Sequence, residues 1–153
     1  MAKNKGVIFR NILVVVDGSE ASFRAAEYAV QLAKQLGCNA TALAVVDTEL
    51  LNRLLQSRIF VEEERAEYER DLERGSLTHL DHVSRQAEKH GVKIDTLLLK
   101  GSMHRTVVSH AEAIGADLIV LGKWRYSRTE RDIIAAERQR ILIEAACPVL
   151  VVG

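Results

Sequence analysis

Two short stretches of this chain hold the residues whose types and spacing could do chemistry. The apolar run Asn11–Val16 opens into Asp17-Gly18-Ser19-Glu20, and the apolar run from Asp117 ends on Gly122. Gly122 is followed by a basic loop, Lys123–Glu130, and then by a helix expected over Arg131–Ala146. An apolar strand that passes through a glycine into a loop and helix presents backbone N–H groups to a phosphate. Such a loop needs further glycines, because the backbone must approach the phosphates closely and a Cβ interferes. Here those glycines are missing. Three residues after Gly122 stands Arg125, and ten after that comes Ala135-Ala136.

The surrounding pattern says what must position these groups. Ile12–Val16 is a continuous apolar run, as expected of a strand buried on both faces of a parallel sheet. A helix follows, with Ser19 as its N-cap, Phe23, Ala26, Val30 and Ala33 on one face, and Gly37 at its end. Ala40–Val46, Ile94–Leu99 and Leu118–Leu121 read as strands two to four. Val107, Ala111 and Ile114 share a helix face between the third and fourth. Strands alternating with helices predict one α/β domain over residues 1–153, a doubly wound sheet with helices on both faces. Within Thr48–Gly91 the spacing predicts a helix over Leu50–Phe60 that packs its Leu and Ile side chains. The mixed-charge run Glu62–Arg74 reads as a solvated helix face, with a mobile arm serving a partner as the alternative. A further helix is expected over Ser76–His90, with Leu77, Leu80, Val83 and Ala87 on its apolar face.

Composition narrows the function classes. The 153 residues carry 21 Lys+Arg against 21 Asp+Glu, a formal charge of +0, so the net basic footprint of a nucleic-acid binder is missing. The longest apolar runs are about strand length, so no membrane span is expected. No secretory h-region follows Met1, and Cys38 and Cys147 read as buried structural thiols. A cytoplasmic location is the expectation.

At this point the residues support a resemblance. Asn11–Glu20, Gly115–Gly122 and Cys147–Val152, in this order and at these separations, resemble the first strand with its acidic turn, the fourth strand and the closing strand of the universal stress protein family. The resemblance implies a five-stranded parallel sheet of order 3-2-1-4-5, which sets Asp17 and Gly122 on opposite lips of one crevice. It also implies a homodimer formed through the final strand, Val149–Val152. ATP-binding members carry Gly, two residues, Gly, nine residues, then Gly-Ser or Gly-Thr. Counted from Gly122, the second glycine falls on Arg125 and the closing pair on Ala135-Ala136, so the spacing is kept while the chemistry is not. By resemblance Asp17 lies beside the nucleoside and the end of the second strand, Val45-Val46, faces the adenine. Asp17, Val46, Gly122 and Arg125 are the resulting cofactor-binding candidates. Two readings stay open. Either tight ATP binding is lost, or ATP, AMP or another anion is held by Arg125, Arg128 or Lys123 in place of backbone amides.

Other constellations are weaker. His79 and His82 stand at i,i+3 beside Asp81, but no third ligand is placed to help, so no metal is assigned. Ser102, His104 and His110 form no nucleophile elbow, since Gly-x-Ser-x-Gly is absent. Trp124 and Tyr126 read as residues that pack the loop against the sheet, with an aromatic–cation patch around Arg125 as the alternative. The expectation is a non-enzymatic stress-response or regulatory module, with a nucleotide-binding switch as alternative and an enzyme last.

Overall fold

The computed structural model describes residues 8–57, 61–124 and 131–153. Among these residues ten elements follow one another: β1 (Asn11–Val15), α1 (Glu20–Leu36), β2 (Asn39–Asp47), α2 (Thr48–Gln56), α3 (Glu62–Lys89), β3 (Asp95–Gly101), α4 (Met103–Ala113), β4 (Leu118–Gly122), α5 (Arg131–Glu144) and β5 (Val149–Val152). All strand pairs are parallel and the order is β3-β2-β1-β4-β5. The expected sheet is therefore present, with β1 central and β3 and β5 at the edges.

β1 is apolar throughout because each of its faces meets a separate core. Ile12 and Val14 point to one side, where α1 and α3 contribute Ala25, Ala26, Ala29, Leu80, Val83 and Ala87. Leu13 and Val15 point to the other, against Met103, Val107 and Ala111 of α4 and Ile141 of α5. Period-two alternation thus feeds two cores from a single strand. Ser19 caps α1 by accepting from the Ser22 amide at 3.1 Å, and Gly37 ends it at φ +65°. Asp117 holds the opposite end of the sheet: its carboxylate accepts from the Arg10 amide at 2.9 Å and the Asn11 amide at 3.1 Å.

The middle of the chain departs from expectation. Glu62–Arg74 and Ser76–His90 are one helix of 28 residues, α3, which continues through Gly75. At about 1.5 Å per residue it runs roughly 42 Å, more than twice the length of β1, so its first half projects past the carboxyl end of the sheet. That half is not wholly solvated. Lys100, near the end of β3, is ion-paired with Glu69 and Glu73, and Arg65 bridges to Glu69 while donating to Asn52 Oδ1 of α2 at 2.9 Å. Leu77, expected on the apolar face, is 55% exposed. The helix expected over Leu50–Phe60 begins at Thr48, capped by Asp47, and closes at Gln56. Only Leu51 is buried in it, and Ile59 and Phe60 lie outside the described residues. Cys38 and Cys147 are free and half-buried rather than sealed in the core.

Candidate functional site

In a sheet of this order the crevice opens beyond the carboxyl ends of β1 and β4, where the connections diverge to the two faces. Asp17 lies there. Its Oδ1 accepts from the Ser19 amide at 2.9 Å and from the Ser19 hydroxyl at 2.6 Å, which locks the loop into α1. Its Oδ2 accepts from Nη2 of Arg138, on α5. Burial pulls the Asp17 carboxyl upward, but the Arg138 charge and the bonds from Ser19 and Ser22 outweigh it. The net result is a pKa below the ordinary value.

Both loop glycines answer to packing. A Cβ on Gly18, where φ is +85°, would collide with the imidazole of His79 from α3. A Cβ on Gly122 would come within 2.5 Å of the Ala21 carbonyl carbon in the first turn of α1. The upper end of β4 is thus closed against the start of α1, and Gly122 does not face the cleft. Val46 is 2% exposed, so it too presents no side chain there. Arg125, with Arg128 and Tyr126, lies outside the described residues. Trp124 packs against the α4–α5 core, the packing role expected of it.

The cleft has a volume of about 270 Å³. Leu50 of α2, Met103 of α4 and Ile133 and Ile134 of α5 give it an apolar wall. Asp17, Asp47, Glu137 and Arg138 supply the charges. Of the cofactor-binding candidates among the described residues, only Asp17 reaches it. Asp47 ends β2 and caps α2 through the Leu50 amide at 3.0 Å; burial and the Glu137 carboxylate push its pKa up. Its signal was present in the sequence, as an Asp between an apolar strand and a Thr-Glu helix start. Glu137 and Arg138 follow directly on Ala135-Ala136, and their local pattern gives no sign of partners over 30 and 120 residues away.

α5 explains why the missing glycines matter. Because the helix already starts at Arg131, the amides of Ala135 and Ala136 fall inside its hydrogen-bonded ladder, each facing a carbonyl four residues earlier. Two alanines are strong helix formers and give the chain no reason to open at that point. Ala135 is 5% exposed. Amides engaged in a helix interior are not available to a phosphate.

Behind the cleft, Glu137 ties α5 to α4. Its Oε2 accepts from the His104 amide at 3.0 Å, capping the first turn of α4, and from His104 Nδ1 at 2.5 Å. These bonds outweigh the effect of burial and hold the Glu137 pKa below its usual value. Ser102 Oγ lies 3.3 Å from the same Nδ1, while Nε2 points toward Glu144 at 3.6 Å. In a catalytic triad the serine and the carboxylate take opposite ring nitrogens. Here Ser102 and Glu137 crowd one nitrogen while Glu144 stands at the other, and Ser102 and His104 are buried away from any substrate. The cluster is a fastening between two helices. His79 and His82 pack edge-on against Phe23, and among the described residues no three His, Cys, Asp or Glu converge as metal ligands.

A sequence model described as the universal stress protein family matches residues 8–153. The chain belongs to this family. Universal stress protein MJ0531 of Methanocaldococcus jannaschii is 32% identical over 162 aligned residues, covering 98% of this chain and 85% of that protein. Among solved structures, the protein MJ0577 superposes with a TM-score of 0.76 at 23% identity, over 95% of this chain and 96% of that one. A universal stress protein in complex with cAMP gives 0.67 at 19% identity, over 95% and 98% of the two chains. A universal stress protein of Archaeoglobus fulgidus in complex with dAMP gives 0.65 at 17%, over 95% and 99%. At these identities the likeness to solved structures establishes the fold. No described helix is long and apolar enough to cross a membrane.

Proposed function

We propose that this universal stress protein is a non-enzymatic regulatory module of the cytoplasm that works as a homodimer and does not hold ATP tightly. The observation that carries the ATP part of this reading is the start of α5. With the helix running from Arg131, the amides of Ala135 and Ala136 serve the helix, and no hydroxyl stands at position 136. The absence of a catalytic role is supported by the burial of Ser102 and His104, which are 5% and 4% exposed. The homodimer is supported by β5, an edge strand without a charged residue whose Leu150 and Val151 are 36% and 39% exposed. The opposite edge, β3, carries Asp95 and Lys100, charges that discourage strand pairing. The test is twofold. Denaturing the purified protein should release no stoichiometric ATP, and calorimetry with Mg-ATP should show no tight site. Co-purified ATP would overturn the reading.

A second reading, a switch that binds a smaller nucleotide such as AMP, is favoured by one observation. The 270 Å³ cleft persists at the carboxyl ends of the strands with Asp17 in its lining, and proteins of the same fold have been solved with cAMP and with dAMP. Arg125, standing where the family's second loop glycine would be, remains part of this reading as a charged phosphate donor in place of backbone amides.

A further inference from the structure

Beside the cleft, across the ridge made by Ile133 and Glu137 of α5, lies a second concavity of about 290 Å³. Its charges differ from those of the first. The Asp17 cleft sets three carboxylates around a single arginine, and that arginine is already paired with Asp17. The second concavity gathers Arg53 of α2, Arg105 of α4 and Arg140 of α5, against Glu49 and Glu137. Arg105 is shared with Glu49 at 3.3 Å, and the Glu137 carboxylate is engaged by His104. Arg140 acts electrostatically on the Glu137 carboxylate, and Arg53 has no ion-pair partner among the described residues. Three separate helices thus bring guanidinium groups to one hollow, against two carboxylates of which Glu137 already caps the first turn of α4.

We infer that Arg53, Arg105 and Arg140 form an anion site for the phosphate of a small organophosphate whose uncharged part lies in the neighbouring Asp17 cleft. Planar guanidinium groups suit phosphate because they donate paired N–H bonds in a fork matching its oxygens. The acidic cleft suits the other end. Carboxylates only accept, so Asp47 and Glu137 call for a partner that brings donors, such as the amine of a nucleobase or a sugar hydroxyl. An ionised phosphate brings acceptors alone and is repelled there; the upward push that Glu137 exerts on Asp47 reports the same negative field. With the α5 amides engaged, the phosphate is led over the Ile133–Glu137 ridge to the arginines. The nucleoside half of this assignment rests on the second reading above, while the anion site rests on the arginines.

The experiment titrates the full chain with pyrophosphate, AMP and adenosine, and repeats all three on Arg53→Gln/Arg140→Gln. Both residues are exposed, so the variant should fold. Wild type should bind AMP at least about tenfold more tightly than adenosine, with an affinity that falls as salt is added. The variant should lose that advantage and its pyrophosphate binding while keeping adenosine. AMP binding no tighter than adenosine in wild type, or an advantage that survives in the variant, overturns the anion site. Pyrophosphate bound through the arginines with no adenosine binding keeps the anion site and removes the nucleotide reading instead.

Discussion

Asp17 holds the loop that follows it with one carboxylate oxygen and Arg138 of α5 with the other. A carboxyl whose pKa is lowered by folding adds stability above its unfolded value and loses it as the pH falls through the folded value. Asp17 is lowered, so the contribution of the pair should be complete at pH 7 and drain away below about pH 4. Its side chains are 25% and 11% exposed, which places the pair between a surface bridge and a sealed one. Asp17→Asn should cost about 1.5–3 kcal/mol at neutral pH, the range for hydrogen bonds to charged groups. Urea denaturation should show that deficit shrinking at pH 3, and a double-mutant cycle with Arg138→Gln should show coupling. An equal deficit at both pH values would contradict the linkage. At this scale the sequence is readable only in part. Asp17 declares itself by ending an apolar strand, whereas Arg138 sits 121 residues away in an ordinary helical pattern and acquires its meaning only once the sheet brings the two together.

Among the elements, α5 differs most from the glycine-closed phosphate loop that the resemblance describes. Arg125→Gly, Ala135→Gly and Ala136→Ser together should weaken the helix at its start, since Gly costs about 1 kcal/mol relative to Ala in a helix interior. Opened there, the amides and a new hydroxyl become available. Regaining two or three phosphate hydrogen bonds of about 1.5–3 kcal/mol each should tighten Mg-ATP binding by well over tenfold. Calorimetry on both proteins decides it. Tight binding by wild type that worsens in the triple variant would make Arg125 a phosphate ligand and refute the proposed loss. α3 shows what period-based reading misses. Its second half was legible from Leu80, Val83 and Ala87 at helical spacing. Gly75 and the density of charge hid its continuity with the first half, which is held by ion pairs to Lys100 and a bond to Asn52 rather than by an apolar face.

On the scale of the whole molecule, layering was legible because β1 must be apolar on both faces to serve two cores, and that constraint is written in consecutive residues, while the strand order came from the family resemblance. The cleft was not, since its walls come from α2, α4 and α5, which meet only in three dimensions. Assembly follows from the edges. β5 offers unpaired backbone groups flanked by apolar side chains, so sedimentation at micromolar concentration should show a dimer, and Val151→Pro should dissociate it by removing an N–H from the edge. A monomeric wild type removes the claim, and a dimer that survives the proline removes the geometry.

His79 belongs to α3, more than sixty residues beyond Gly18, yet its imidazole fills the space where a Gly18 side chain would be and meets Phe23 edge-on. The loop carrying Asp17 therefore cannot shift without displacing an aromatic ring lodged beneath it. That ring makes the protein its own gauge: the NMR resonances of His79 should register events in the cleft from the opposite face of the sheet, with no label attached to the cleft itself.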